Sequence, residues 1–130
     1  MTAPGERIRV VVAATGGDGE DRATVGVARG LRDAGMEVVY AGRHRSAEQL
    51  ADVVVQEDAD AVGLPVLPEQ EAALPARLAA ALADRGMVDV LVFAGGTDAG
   101  LPGSVRLFAP DTPPAEIADW LRTEVDAAGG

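Results

Sequence analysis

The side chains best suited to chemistry gather in one short stretch, A-T-G-G-D-G-E-D-R-A-T, which occupies residues 14–24. It contains three glycines and three carboxylates, those of Asp18, Glu20 and Asp21. The stretch follows a β-branched run and precedes a helical pattern, and α/β proteins usually hold their ligand at such a corner. Asp18 and Asp21 could instead cap the free N–H groups at a helix start, a role that needs no ligand. The stretch is therefore either a ligand-facing corner or simply an acidic helix start.

The composition excludes several functions. The 130 residues carry 11 arginines and no lysine against 21 Asp and Glu, for a net charge of −10. This balance argues against a nucleic-acid partner, which needs a basic surface. Without lysine there is no Schiff base and no P-loop lysine; without cysteine there is no thiol nucleophile or thiolate metal site, and a reducing cytoplasm is the expected location. No apolar run approaches the roughly 20 residues of a membrane span, so no membrane partner is expected.

Apolar patterning predicts an alternation of strands and helices. Five runs are typical of strands covered on both faces: Ile8–Ala14, Glu37–Ala41, Ala61–Leu64, Val88–Ala94 and Val105–Phe108. Four sets of residues at helical spacing predict helix faces turned to a core: Val27, Ala28, Leu31 and Ala34; Leu50, Val53 and Val54; Leu74, Leu78, Ala81 and Leu82; Ile117, Trp120, Leu121 and Val125. Trp120 is accordingly predicted to be a core residue without a ligand role.

Helix boundaries carry their own signals. Ser46 and Gln49 have the spacing of a capping box, and Thr112 followed by Pro113 predicts a cap and a first-turn proline for the last helix. Gly35 and Gly86 follow the first and third helices, where a left-handed residue is usual. The chain is predicted to be a single domain over residues 1–130, with frayed ends at 1–6 and 127–130.

Right-handed crossovers then give a five-stranded parallel sheet, doubly wound in the flavodoxin-like (Rossmann-like) order 2-1-3-4-5. In this fold the ligand binds beyond the carboxyl ends of the strands. The segments predicted to meet there are the loops over residues 15–23, 65–70 and 95–104.

The fourth crossover is predicted to have a short helix or none. Only G-G-T-D-A-G-L-P-G-S, residues 95–104, connects the fourth and fifth strands, which is barely long enough for a parallel crossover. A missing helix would uncover apolar sheet, and such a surface is typical of an interface for dimerisation or for a larger subunit. The alternative is that the loop itself covers the gap.

With the strands placed, the chain resembles the cobalamin-binding domain of adenosylcobalamin-dependent mutases, in particular the small subunits of methylmalonyl-CoA mutase and its acyl-CoA relatives. The resemblance runs from Arg7 to about Val125. The family's first motif reads D-G-H-D-R-G, and here the same stretch reads Asp18-Gly19-Glu20-Asp21-Arg22-Ala23. The segments L-A-D-V-V-V-Q-E-D-A-D-A-V-G-L and V-D-V-L-V-F-A-G-G also follow the family pattern.

This resemblance implies a cofactor and a set of contacts. Cobalamin would lie over the motif residues 18–23, and its dimethylbenzimidazole tail would occupy a slot between the first helix and the sheet. The family's S-x-L motif corresponds here to Pro65, Val66 and Leu67, and its double glycine, which lets the nucleotide approach the backbone, to Gly95 and Gly96.

The same motifs also depart from the family. Glu20 stands where the family has the histidine that binds cobalt, so Glu20 is the candidate metal ligand, or else a carboxylate facing a cobalamin whose own base stays on. Pro65 replaces the serine that meets the tail base, and Ala23 replaces a glycine. A chain with these changes is expected to bind cobalamin weakly and without histidine ligation.

Two other candidate groups have simpler interpretations. His44, the only histidine, could replace the cobalt ligand from a neighbouring loop, but a surface histidine is the commoner case. Arg22 could meet a phosphate or an amide of the cofactor, or pair with a neighbouring carboxylate. The glycines at 17 and 19 give an incomplete dinucleotide fingerprint.

The resemblance implies a stand-alone cofactor subunit that associates with a mutase large subunit, or with itself, and lacks activity alone. Two alternatives stay open. The chain could be a pseudo-cofactor domain that has lost cobalamin and acts as a structural or regulatory subunit. It could also be a small α/β protein that binds another nucleotide-like molecule at the same crevice.

Overall fold

The structure is a computed structural model that describes residues 7–15, 18–43, 45–68, 71–96, 105–109 and 111–129. Within helices, the side chains of residues 18–21 and 127–129 lie outside the description. His44 and the segment 97–104 also lie outside it. The statements below apply to the described residues.

The described strands are β1, Arg9–Ala14; β2, Glu37–Arg43; β3, Ala61–Leu64; β4, Leu91–Gly95; and β5, Val105–Phe108. They form one parallel sheet in the order β2-β1-β3-β4-β5, which confirms the predicted topology. Because the three central strands are short and apolar apart from Arg9, they can be buried on both faces between layers of helices.

The helices cover the two faces of the sheet in pairs. Their bounds are α1, Asp18–Asp33; α2, Ala47–Glu57; α3, Leu74–Asp84; and α4, Pro114–Gly129. Alternate residues of β1 show the division: Val11 packs in the cluster of α2 and α3, whereas Val10 and Val12 pack in the cluster of α1 and α4. The apolar positions predicted at helical spacing are buried or partly buried, as expected.

Most of the predicted boundary signals are confirmed. Ser46 and Gln49 form the reciprocal capping box of α2. Gly35 and Gly86 have φ of 93° and 76°, the left-handed conformation predicted for residues that follow a helix. The last helix begins one residue later than predicted, at Pro114. The Thr112 hydroxyl donates to the Ala109 carbonyl at 2.7 Å.

The first strand begins one residue later than predicted, at Arg9, and two other strand predictions need a larger correction. The fourth strand begins at Leu91 rather than Val88, because Asp89 lies in a turn and Val88 is 75% exposed. The second strand continues past Ala41 to Arg43. Gly42, with φ of 86°, supplies an extra residue on β2 where the register with β1 shifts, and this conformation suits glycine.

Two predicted loops also have different extents. The segment 15–23 is helical from Asp18, so the motif residues 18–23 lie on the first turns of α1 and not in a loop. Between β4 and β5 only Gly96 is described before residues 97–104, so the prediction about the fourth crossover helix falls outside the description. In the described part of the chain, no helix is both long enough and apolar enough to cross a membrane.

Candidate functional site

The carboxyl ends of the central strands are joined by hydrogen bonds to backbone carbonyls. The Thr15 hydroxyl, directly after β1, donates to the Val66 carbonyl at 3.2 Å. The Leu67 N–H donates to the Gly95 carbonyl at 3.1 Å, and the Gly96 N–H to the Phe108 carbonyl at 2.9 Å. We call this edge, formed by Thr15, residues 65–67, Gly95 and Gly96 with the first turns of α1, the crevice mouth. The segments predicted to meet therefore do meet, as far as they are described.

The two glycines at the mouth differ in their surroundings. A Cβ added at Gly95 would overlap the carbonyl of Pro65, so this position must be glycine for the chain to pack against itself. Among the described residues, the nearest neighbours of a Cβ added at Gly96 would lie at 3.7 Å and 3.9 Å, an ordinary contact distance. Packing within the chain is therefore enough to explain the glycine at position 95. The predicted role of giving a ligand access to the backbone is not needed there.

The acidic motif lies at the start of α1. Asp18, Gly19, Glu20 and Asp21 form its first turn, where the helix dipole favours carboxylates. Arg22 and Ala23 follow and are exposed. The next residue, Thr24, is fully buried, and sequence reasoning did not single it out. The signal that could have identified Thr24 is that it is a polar residue among exposed neighbours at the start of the helix.

An aromatic cluster fills the space beneath α1 and α4. Phe93, Phe108 and Trp120 make three edge-to-face contacts with ring centroids 5.4–6.1 Å apart. The Phe93 ring lies against the backbone of Gly63, so closely that a Cβ added there would overlap the ring. We call these three side chains the aromatic trio.

The space left beside the trio is very small. Residues of α1, β4, β5 and α4, together with Pro65, enclose a cavity of about 20 Å³, which is room for about one water molecule. The helices above it are in close contact, because Pro114 packs directly on Gly30 and an added Cβ at Gly30 would overlap it. Arg122 also reaches from α4 to the Ala34 carbonyl at 2.6 Å. We call the space between these two helices and the sheet, which the aromatic trio fills except for this cavity, the α1–α4 slot.

Two larger hollows lined by described residues lie away from the mouth. One of about 220 Å³ is at the amino ends of β3 and β4 and includes four acidic side chains, those of Asp58, Asp60, Asp89 and Glu124. The other, about 190 Å³, is an apolar groove between α3 and β4. Its lining residues are Ala79, Leu82, Ala83, Met87, Val88, Val90 and Val92. No predicted site residue lines either hollow.

An ion pair between Arg9 and Glu37 also lies at the amino ends of the strands. The Arg9 guanidinium donates to Glu37 at 2.8 Å and 3.0 Å and to the Glu57 carbonyl at 2.7 Å. The hydrogen bond and charge of Glu37 raise the pKa of Arg9 above its ordinary value. Among the described residues no group of three or more His, Cys, Asp or Glu is placed to hold a metal ion.

Comparison with known proteins decides the family. Residues 8–101 match the B12 binding domain family, well over half of the chain. The chain belongs to the B12-binding domain family. The predicted resemblance and the predicted flavodoxin-like fold are thereby confirmed.

Two relatives of this B12-binding domain are mutase small subunits. It is 40% identical to the 2-hydroxyisobutanoyl-CoA mutase small subunit of Aquincola tertiaricarbonis, over 94% of this chain and 95% of that protein. It is 32% identical to the pivalyl-CoA mutase small subunit of Xanthobacter autotrophicus, over 88% of this chain and 81% of that protein. It also matches the methylmalonyl-CoA mutase of Rhizobium meliloti at 33% identity but spans only 18% of that longer protein.

Solved structures agree on the fold. A cobalamin-binding protein from Desulfitobacterium hafniense superimposes with a TM-score of 0.73 at 20% identity, covering 91% of this chain and 59% of that one. The receiver domain of NarL from Mycobacterium tuberculosis superimposes with a TM-score of 0.64, also at 20% identity, covering 96% of this chain and 98% of that one. Identities this low show only that the sheet and its helices share one architecture.

The cofactor of the family can be tested against this geometry. The mouth presents Gly96 without crowding and carries the acidic first turn of α1. The slot does not fit the tail base, since a cavity that takes one benzene molecule measures about 150 Å³ and benzimidazole is larger. The free space in the slot measures about 20 Å³. The mouth is therefore compatible with a corrin ring lying outside the sheet, and the slot as it stands is not compatible with the tail.

Proposed function

We propose that this protein is the cofactor-binding small subunit of an acyl-CoA mutase and works with a separate large subunit. The observation that carries the proposal is the end-to-end match to a mutase small subunit, 40% identical over 94% of this chain and 95% of that protein. A B12-binding domain positions its cofactor, and the cofactor supplies the difficult chemistry. The chain alone is therefore expected to be inactive.

The proposed corrinoid site is the crevice mouth. Its residues are Asp18, Gly19, Glu20, Asp21, Arg22, Ala23, Pro65, Leu67, Gly95 and Gly96. Support comes from the hydrogen bonds that join the segments after β1, β3 and β4 at one edge of the sheet. Ligands of doubly wound sheets bind at this edge, where the strand order reverses.

Glu20 is the proposed cobalt-facing residue, because it holds the sequence position of the family's histidine. A carboxylate lacks the second ring nitrogen through which a neighbouring group orients an imidazole ligand. The only histidine of the chain is His44, outside the motif. Binding is accordingly proposed to be weak and without histidine ligation.

The test is direct retention of the cofactor. Purified protein is mixed with hydroxocobalamin, desalted, and its visible absorption recorded; the proposal expects a corrinoid spectrum with rapid loss on a second desalting. Glu20→His should slow that loss, because a neutral imidazole is a common metal ligand. Arg29→His is the matched control, since it places an imidazole on an exposed position of the same helix outside the proposed site. Retention that is equal in Glu20→His and Arg29→His would contradict the assignment of Glu20.

The pairing with a large subunit needs a separate experiment. The chain is co-expressed with the large subunit of an acyl-CoA mutase, and the complex is isolated through a tag on one partner. Val88→Asp identifies the surface used, because Val88 is 75% exposed at the apolar groove and far from the mouth. Association through the mouth survives this change, whereas association through the apolar groove is lost. Failure to co-purify with any such subunit contradicts the proposal.

A second candidate function is favoured by the closed slot. A B12-binding domain that has lost its cofactor would keep the fold, fill the tail slot with its own side chains and serve as a structural or regulatory subunit. The filled slot, with about 20 Å³ left free, is what this alternative expects. Colourless protein after desalting, from both the wild type and Glu20→His, would favour it over cofactor binding.

A further inference from the structure

We infer that the aromatic trio keeps the base of a bound cobalamin outside the α1–α4 slot, so that the site recognises the corrin ring and not the tail. The inference rests on the proposed function, because it concerns how the same mouth takes its cofactor. It differs from the family arrangement, in which the tail enters a slot between the first helix and the sheet.

The first step of the argument is the occupancy of the slot. Phe93 is 1% exposed and Phe108 is 4% exposed, and both line the remaining cavity. Their rings and that of Trp120 contact one another edge-to-face. A buried ring in such a set is held from several sides, so one ring cannot swing aside without opening a void. The space for an aromatic base is thus taken by aromatic side chains of the chain itself.

The second step is the fixed position of Phe93. Its ring lies on Gly63 of the neighbouring strand β3, where the lack of a side chain gives it room. Leu64, beside Gly63 on the same strand, is fully buried in the opposite cluster. The ring therefore cannot move deeper, because the sheet backbone lies beneath it.

The third step is the closure of the two helices over the slot. Pro114 at the start of α4 packs directly against Gly30 in the last turn of α1. Arg122 ties the next turns of α4 to the end of α1 through the Ala34 carbonyl at 2.6 Å. Admitting a base from the mouth side would require α1 and α4 to separate and these contacts to break. Because a glycine faces a proline, α1 and α4 approach closely. The slot is therefore narrowed by the helices on one side as well as by the sheet on the other.

The fourth step concerns the entrance. Pro65 and Gly95 line the slot at the mouth, and the Pro65 carbonyl occupies the space beside Gly95. The entrance is therefore closed by backbone, and its widening would disturb the Leu67–Gly95 hydrogen bond of 3.1 Å. In the part of the chain that the structure describes, the helices, the sheet, the aromatic trio and the entrance together leave no room for a large planar base.

The experiment compares two corrinoids on one protein. Hydroxocobalamin carries the tail and its base, and diaquocobinamide lacks both. Dissociation constants are measured for each by absorbance titration with the wild type, Phe93→Ala and Leu78→Ala. Leu78→Ala is the control, because it empties a fully buried site on the opposite face of the sheet. Phe93→Leu is measured as well, so that a conservative change is at hand if Phe93→Ala does not fold.

The inference expects the wild type and Leu78→Ala to bind the two corrinoids about equally. Phe93→Ala, and to a smaller extent Phe93→Leu, should favour cobalamin, by roughly tenfold or more if the buried base gains apolar contact in the opened slot. The visible spectrum of cobalamin should then change from base-on in the wild type to base-off in Phe93→Ala.

Two results separate failure of the inference from failure of the proposed function. A wild type that binds cobalamin at least about tenfold tighter than cobinamide, with a base-off spectrum, overturns the inference and leaves the proposed function standing. Absence of binding of either corrinoid by the wild type and by both Phe93 variants overturns the proposed function, and the inference with it.

Discussion

The crevice mouth and the α1–α4 slot lie next to each other but are built on opposite principles. The mouth is held by hydrogen bonds between backbone groups, such as those of Leu67 with Gly95 and of Gly96 with Phe108, and it faces outward. The slot is held by apolar side chains that fill it almost completely. Hydrogen bonds between main-chain groups leave the mouth's form independent of most side chains, whereas the slot's form is set by three rings. A change in a few residues can therefore close the slot while the mouth survives.

The largest effect is expected from removing a ring of the slot. Phe93→Ala should lower the free energy of unfolding by about 3–5 kcal/mol, because it removes a fully buried ring and leaves a cavity. Chemical denaturation followed by circular dichroism measures the change. A loss below about 1 kcal/mol would mean that the ring is not packed as described.

One methyl group added at Gly95 should destabilise the mouth. Gly95→Ala should lower the free energy of unfolding by roughly 2–3 kcal/mol, since the new Cβ overlaps the Pro65 carbonyl and the backbone must shift. Gly96→Ala is the matched control and should stay within about 0.5 kcal/mol of the wild type, because its Cβ meets only ordinary contacts. Equal losses in the two variants would contradict the difference between the two glycines.

A smaller loss of stability is expected from removing one hydrogen bond of the mouth. Thr15→Val keeps the shape of the side chain but removes the hydroxyl that donates to the Val66 carbonyl, so the protein should lose about 1 kcal/mol. Thr15→Ser keeps the donor and should lose less. Thermal unfolding of the two variants in parallel checks the order. A Thr15→Val protein as stable as the wild type would show that this bond does not hold the segments together.

The smallest effect is expected at the far end of the sheet, which serves as a reference for both regions. Arg9→Met removes the exposed pair with Glu37 and should weaken folding slightly, with the difference shrinking as NaCl is added. The pKa of Arg9 is raised in the folded state, so its contribution is complete below the unfolded pKa and is lost only when the pH rises through the folded one. Denaturation in low and high salt at neutral and mildly alkaline pH tests this. The prediction is contradicted if the stability difference between the wild type and Arg9→Met disappears when the pH is raised from neutral to mildly alkaline.

The sequence was enough to predict the sheet, because its strands and helices differ in period. Short valine-rich runs and helical spacing led to the order 2-1-3-4-5, and Ser46 with Gln49 led to the capping box. Strand ends were less accurate. Val88 belongs to an apolar run, yet Asp89 turns the chain before β4 begins. Gly42 adopts a left-handed conformation that extends β2 past Ala41.

The meeting of the predicted segments at one edge of the sheet was predictable, whereas the shape of the slot was not. The motif at residues 18–23 and the glycines at 95 and 96 indicated which strand ends meet. The closed slot could not be predicted, because Phe93, Phe108 and Trp120 come from three elements and read separately as ordinary core residues. Their common space depends on how α4 packs on α1 through Gly30 and Pro114, which a single sequence does not reveal.

The most direct test of the account is electron paramagnetic resonance of Co(II) cobalamin bound to the desalted protein. If the trio keeps the tail base out of the slot, the base stays on cobalt, and the cobalt lines should show splitting by a nitrogen nucleus. The splitting should persist in His44→Ala and be absent with Co(II) cobinamide. Bound Co(II) cobalamin without nitrogen splitting in the wild type would contradict the account, because the base would have left the metal.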